Sequence, residues 1–196
     1  MSSGMLRTEA ARVFAHHRGD RLTVVTMQAV EPWNALGQAD SRNFNVTGCM
    51  GSAASIGLGL AIARPYDQVL VIDGDGSLMM QLGSCISIGE HSPRNLVHAV
   101  FANGIYETSG GQKVPGRDTA DLCAIALASG YRHARRFSSL EELDAELDSV
   151  LSQDGPTFVE VLVAGPGIVE PTDASEPARK PVQVENMRLA FQPDAP

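Results

Sequence analysis

The sequence is poor in the features that mark several classes of protein. Its 196 residues contain three cysteines, Cys49, Cys85 and Cys123. An odd number with no CxxC spacing supports neither a disulfide framework nor a zinc site, and it fits a reducing cytoplasm. Basic residues are outnumbered, and the formal net charge is −8. That disfavours a nucleic-acid partner, because such binders need basic surface to displace counterions. A small anionic ligand needs only a local site and is not excluded. The opening MSSGMLRTEAARVF lacks the apolar core of a secretory signal. The longest apolar stretch, around Ile56 to Ala63, is too short to cross a bilayer. A cytoplasmic protein without a membrane segment is expected. No GKS or GKT marks a Walker loop, and GxGxxG is incomplete, since residues 74–79 read GDGSLM. A second candidate, Gly57-Leu-Gly59, falls within a helical pattern. No internal repeat is visible.

What is present is an alternation of strands and helices. Met5–His17 has helical spacing, with Gly19 as its stop. LTVVTM, from Leu22 to Met27, reads as a strand, Glu31–Gly37 as a short helix and Phe44–Val46 as a short strand. Ser52–Ala63 predicts a helix of small residues, Gln68–Asp73 a strand, Leu78–Glu90 a helix and Asn95–Ala102 a strand. Asp118–Ser129 predicts a helix capped by Asp118, with Gly130 beyond its end. Tyr131–Phe137 is a predicted strand. Ser138, with Glu141 three residues on, suggests a capping box for a helix through Leu151. TFVEVLV, Thr157–Val163, is the last strand. Continuous β-branched runs alternating with helices imply an α/β fold: a doubly wound parallel sheet sandwiched by helices. Residues 1–164 are expected to form one domain. Residues 165–196, with prolines at 166, 171, 177, 181, 193 and 196, read as an extended arm.

The most informative stretch is VLVIDGDGSLMMQLGS, residues 69–84. A strand running into a glycine turn and a helix is a phosphate site in many α/β proteins. Here Asp75 sits between Gly74 and Gly76, where a bare phosphate would be repelled. A divalent cation removes the conflict, bound by Asp75 on one side and by phosphate oxygens on the other. Gly76 would allow close backbone approach, and Ser77 could donate its hydroxyl to a phosphate. Asn103 offers a further oxygen at the end of the next strand. Residues 77–102, 26 in number, separate Gly76 from Asn103. That is the length of one helix and one strand, so both side chains reach the same rim. Either residue alone is compatible with an ordinary turn; the pair points to a metal and a diphosphate.

This arrangement resembles the thiamine diphosphate enzymes, whose signature is GDG, about 26 residues, then Asn. The resemblance implies Mg²⁺ held by Asp75, Asn103 and the main chain of Ile105, with Tyr106 matching an aromatic common at that point. Ala102 departs from the second Asn or Asp of many members, a position that is not itself a ligand. TGCMGSAASIGLGL, residues 47–60, taken by itself reads as a tight turn and close packing, with Met50 as core filler. The family's Gly-x-(Met or Ile)-Gly turn is similar to it. The resemblance implies that Met50 wedges between the two rings of the cofactor and bends it. It also implies that Gly48, Cys49 and Gly51 line the aminopyrimidine. The bend brings the exocyclic amine near the thiazolium C2 proton. Cys49 stands for a Ser common in relatives and is read as packing unless exposed and acidic.

The family also needs a Glu on the pyrimidine ring nitrogen, contributed by a separate domain across a subunit interface. This chain resembles only the diphosphate-binding half, over residues 5–165, and within the family it is most similar to the sulfopyruvate and phosphonopyruvate decarboxylases. The tail KPVQVENMRLAF resembles the end of the latter. No catalytic acid or base is therefore expected in this chain. Expected partners are a pyrimidine-binding α-type subunit, further copies of the chain and a small anionic 2-oxo acid. A non-catalytic cofactor-binding or regulatory subunit is the alternative. The family's glycine-containing loop after the first strand reads TMQAVEPW here, with Ala29 expected at the glycine position. Thr108–Gln112 either closes over the cofactor or is a structural glycine loop. Trp33 faces either a subunit interface or the core. His98, within a strand, is expected to be packed, and the Glu141–Asp148 carboxylates a solvated helix face.

Overall fold

In the computed structural model, residues 4–165 are described. The proposed arm, apart from Gly165, and the segment KPVQVENMRLAF lie outside them. The elements are α1 (Arg7–His17), β1 (Leu22–Thr26), α2 (Val30–Ala35), β2 (Asn43–Val46), α3 (Ala53–Ala63) and β3 (Val69–Gly74). They continue with α4 (Asp75–Met80), α5 (Ser84–His91), β4 (Leu96–Ala102), β5 (Ile105–Tyr106) and β6 (Gln112–Lys113). The series ends with α6 (Leu122–Ala128), β7 (His133–Phe137), α7 (Leu140–Ser152) and β8 (Thr157–Leu162).

Six strands form a parallel sheet in the order β2-β1-β3-β4-β8-β7. Its central strands are buried along most of their length, which explains their continuous apolar runs. Two cores result. On one face α1, α2 and α7 cover Val25, Leu70, Ile72, Val97, Phe101 and Val161. On the other, α3, α5 and α6 cover Val24, Val71, Leu96, Val100 and Phe158. Helices on both faces make the sheet doubly wound, as expected. The chain passes from β1 outward to β2, then returns to place β3 on the other side of β1. The carboxyl ends of β1 and β3 therefore flank a topological switch point, where such sheets bind ligands.

Several expectations need correction. The helix predicted over 78–90 is two helices, broken at Gln81–Gly83, and it begins at Asp75, so the glycine turn is itself helical. Helix α6 starts at Leu122, and Asp121 rather than Asp118 caps it, accepting a hydrogen bond from the Ala124 N–H at 3.1 Å. Likewise Ser139, not Ser138, caps α7 through the Glu142 N–H at 3.2 Å. Met5 lies outside α1 and forms a parallel bridge with Val163. Trp33 is fully buried and donates Nε1–H to Asn43 Oδ1 at 3.0 Å, which assigns it to the core. His98 is buried as expected, with Nδ1 2.9 Å from the Tyr131 hydroxyl and its ring edge-on to Phe158. The α7 carboxylates are exposed or half-buried but not idle: Glu142 and Glu146 pair with Arg135, and Asp144 and Asp148 with His17.

Candidate functional site

A pocket opens at the switch point. It is lined by Thr26–Ala29 after β1, by Asp73–Ser77 at the end of β3 and by Asn103 with Ile105–Thr108 after β4; Met50 and Arg7 complete it. Parallel register sets these segments at one level, since Ile72 pairs with both Val25 and Ala99, and Gly74 with Phe101.

Asp75 is 6% exposed. One carboxylate oxygen accepts from the Gly76 N–H at 2.9 Å, the other from the Gly104 N–H at 2.6 Å. Among the described residues no Lys or Arg bonds to it. Burial pushes its carboxyl pKa upward, opposed by these main-chain donors. Asn103 points its Oδ1 at the Ile105 N–H, 3.0 Å away, and its Nδ2–H at Glu107 Oε2, 3.1 Å away. The same Glu107 oxygen accepts from Arg7 Nη2 at 2.5 Å. The site thus offers hard oxygen donors and a buried carboxylate with no cationic partner, a set that suits Mg²⁺ and not a soft metal.

Gly76 is explained by space: a Cβ here would lie 2.7 Å from the Tyr106 ring. The GCMG turn is explained by conformation, since Gly48 and Gly51 take φ of 70° and 84°. Ser77 joins the two predicted segments, its Oγ accepting from the Gly51 N–H at 3.0 Å. The hydroxyl oxygen is therefore engaged with protein, while its O–H is left as a donor.

Of the predicted residues, Met50, Gly74, Asp75, Gly76, Ser77, Asn103, Ile105 and Tyr106 line the pocket. Gly48, Cys49 and Gly51 do not. Gly51 is buried behind the wall, against Gln81 and Met80. Cys49 is exposed. Ala29 is not at a position that demands glycine, because its φ is −80°. Met27 is, at φ 52°. Thr108 lines the pocket, and Gly111 closes a tight loop by donating to the Tyr106 carbonyl at 2.9 Å. Sequence reasoning missed Arg7 and Glu107. A lone Arg at the start of an amphipathic helix carries no motif, and Glu107 is marked only by its place four residues after Asn103.

A second group of ligand-type side chains, Asp121, Cys123 and Glu160, lies elsewhere. Arg136 already fills it, bonding Asp121 at 2.9 Å and Glu160 at 2.8 Å. Burial and the Glu160 charge push the Cys123 thiol up to about 12. It is an ion-pair cluster between α6 and the β7–β8 edge.

Fold and site together define a doubly wound domain with a pocket of carboxylate, amide and main-chain groups at its switch point. The chain belongs to the thiamine pyrophosphate enzymes: the model of their C-terminal TPP binding domain matches residues 24–161. It is 41% identical over 150 residues to phosphonopyruvate decarboxylase of Streptomyces viridochromogenes, covering 76% of this chain and 36% of that protein. It is 39% identical over 122 residues to sulfopyruvate decarboxylase subunit beta of Methanothermobacter thermautotrophicus, covering 62% of each. Thus the chain spans from about a third to about three fifths of these relatives. The thiamine diphosphate-dependent 4-hydroxybenzoylformate decarboxylase of Rhodococcus jostii superposes with a TM-score of 0.67 over 84% of this chain and 33% of that one. At 19% identity that match speaks for the fold alone.

Proposed function

We propose that this chain is the diphosphate-binding subunit of a Mg²⁺- and thiamine diphosphate-dependent decarboxylase. Its substrate would be a 2-oxo acid with a second anionic group, of the sulfopyruvate or phosphonopyruvate type. The observation that carries the reading is the buried Asp75 carboxylate, held by main-chain donors beside Asn103 and left without a cationic side chain. In this reading the side chains of Asp75 and Asn103 and the main chain of Ile105 hold Mg²⁺. Gly74, Gly76 and Ser77 receive the diphosphate with Tyr106 against the turn, and Met50 supports the bend between the rings. Gly48, Cys49 and Gly51 form the aminopyrimidine turn, on which Gly51 acts from behind through Ser77. When bound, the cofactor supplies the electron sink for the carbon that loses CO₂. The chain's own residues bind, orient and screen; none of them is assigned a proton transfer.

The activating Glu would come from a partner α-type subunit. Two observations support an incomplete site. The relatives named above include a protein called subunit beta. Helix α3, AASIGLGLAIA, carries no charge and one polar side chain, Ser55, and Ile62 on it is 52% exposed, with Met80 and Ile86 also exposed. A helix of this kind is normally covered, here by the partner or by a second copy. Residues 1–164 form the cofactor domain in this reading and 165–196 an arm, in a cytoplasmic oligomer. No helix of the described residues is long and apolar enough to cross a membrane.

The test is calorimetric titration of the chain with thiamine diphosphate. Tight binding with Mg²⁺ and weak binding after chelation are expected; equal affinity in both conditions overturns the metal bridge. Hydrogen–deuterium exchange at C2 of the bound cofactor then tests the missing Glu. It is expected to be slow for the chain alone and faster with the partner subunit. Fast exchange by the single chain overturns the two-subunit reading.

A further inference from the structure

Two carboxylates, Asp75 and Glu107, and one cation, Arg7, line the pocket with their charged groups; Asp73 lies at its wall, but its carboxylate is buried 3.4 Å from His98 Nε2. An anion entering such a site meets net negative charge unless cations compensate it. In the reading above Mg²⁺ compensates Asp75, and among the described residues lining this pocket Arg7 is the one cation left. Its guanidinium has five N–H donors, and one, on Nη2, is committed to Glu107 Oε2. Among the described residues it has no other hydrogen-bond partner. The side chain is 19% exposed, so it is reachable but not freely solvated. Its carboxylate partner is shared, because Glu107 Oε2 also accepts from Asn103 Nδ2. Glu107 therefore fixes Arg7 at the wall without saturating it. A planar fork held this way is suited to two oxygens of a carboxylate, sulfonate or phosphonate.

From this geometry, which rests on the proposed reading of the pocket, we infer that Arg7 is the anion-recognition residue of the site. It binds the oxygens of a tetrahedral or carboxylate oxyanion through the donors Glu107 leaves open. Two molecules could present that group: the second acid of the substrate, or the diphosphate of the cofactor. A lysine would not reproduce the function fully, since it offers a point charge in place of the fork.

The test uses the full chain and binding alone. Phosphonoacetate and acetate serve as unreactive probes, because neither has a keto group; they are titrated with Mg²⁺ and thiamine diphosphate at saturation. The wild-type chain is expected to bind phosphonoacetate at least about tenfold tighter than acetate. Arg7→Gln is expected to abolish that preference, with Arg7→Lys intermediate. Cofactor affinity is measured on the same variants. If Arg7→Gln weakens thiamine diphosphate tenfold and leaves the phosphonoacetate preference intact, the oxyanion is the cofactor's diphosphate. If the preference alone is lost, it is the substrate's acid. Glu107→Gln separates recognition from simple bracing: it frees Arg7 further, so phosphonoacetate binds as well or better. A purely structural Arg7–Glu107 clip instead predicts equal loss in both variants, and that result overturns the inference. So does an Arg7→Gln variant unchanged in every titration, or a wild-type chain that does not distinguish the two probes while Arg7→Gln leaves thiamine diphosphate affinity intact. If the wild-type chain fails to bind thiamine diphosphate at any Mg²⁺ concentration, the cofactor reading fails by itself. Arg7 is then judged on the two probes without cofactor.

Discussion

Two loops meet at the rim of this sheet, and they solve the same problem with opposite chemistry. The junction of β3 and α4 has glycine at 74 and 76, yet neither takes a left-handed φ. The segment after β1 has no glycine, yet Met27 is left-handed at φ 52°. In the first loop glycine provides room, because the Tyr106 ring lies where a Cβ would point. In the second an ordinary side chain occupies a conformation that favours glycine. The lesson is that a glycine in a motif and a glycine-demanding backbone are separate facts. The first loop is built to be filled closely and held by hydrogen bonds. The second stores a modest strain beside the pocket, as functional sites often do.

The largest effect expected from this comparison is at Asp75. Asp75→Asn keeps the shape and removes the charge, so Mg²⁺-dependent affinity for thiamine diphosphate should fall by at least about 100-fold, beyond the usual effect of a residue that only orients a ligand. Thermal stability should change little. Relief from burying a charge offsets the main-chain N–H that loses its acceptor. Calorimetry and a melting curve on the same sample check both halves. An unaltered affinity would remove the cation from the first loop and erase the contrast.

Next is Gly76→Ala. The added Cβ would approach the Tyr106 ring at 2.7 Å, with Val114 close behind at 3.4 Å. Forced overpacking of this kind costs about 1–3 kcal/mol, and displacing Tyr106 should also weaken cofactor binding. Tyr106→Ala in the Gly76→Ala background should recover much of the stability. Failure of that rescue in thermal unfolding would show that the glycine serves conformation and not space. Ser77→Ala should follow, at about 1–3 kcal/mol, since the buried Gly51 N–H loses its acceptor. If the cross-tie matters for the site, the GCMG turn should exchange its amide hydrogens faster in that variant.

The contrast also bears on what could be read from residues alone. Strand positions were legible to within a residue or two, because buried parallel strands are continuous apolar runs bounded by turns. Asp75 and Asn103 were legible because spacing and strand ends place them on one rim. Helix ends were not. Asp118 and Asp121, or Ser138 and Ser139, are equally good caps by residue type, and tertiary contacts choose between them. The break at Gln81–Gly83 is marked by one glycine within an otherwise helical pattern. The two-residue strands β5 and β6 are too short for any period to show. Arg7 and Glu107 meet only through the fold, 100 residues apart in sequence. The left-handed backbone after β1 is at Met27 and not at Ala29, and no residue type marks it; only the backbone angle shows it.

The smallest effect expected is also the one of opposite sign. Met27→Gly removes the left-handed penalty, about 1–2 kcal/mol for a residue with a Cβ. Against this stands the greater freedom of glycine in the unfolded chain, about 0.5–1 kcal/mol, and the loss of a side chain that is only half-buried. The net change should be between about zero and a gain of 1 kcal/mol. Met27→Ala separates the contributions, since it loses the same packing but keeps the strain. The glycine variant should therefore be more stable than the alanine variant by roughly the backbone difference alone, a few degrees in melting temperature for a domain of this size. Equal melting temperatures would mean that the loop after β1 is unstrained in solution, and the two loops would then differ only in sequence. A glycine variant that melts higher but binds thiamine diphosphate more weakly would instead mean that the strained backbone holds Met27 where the cofactor needs it.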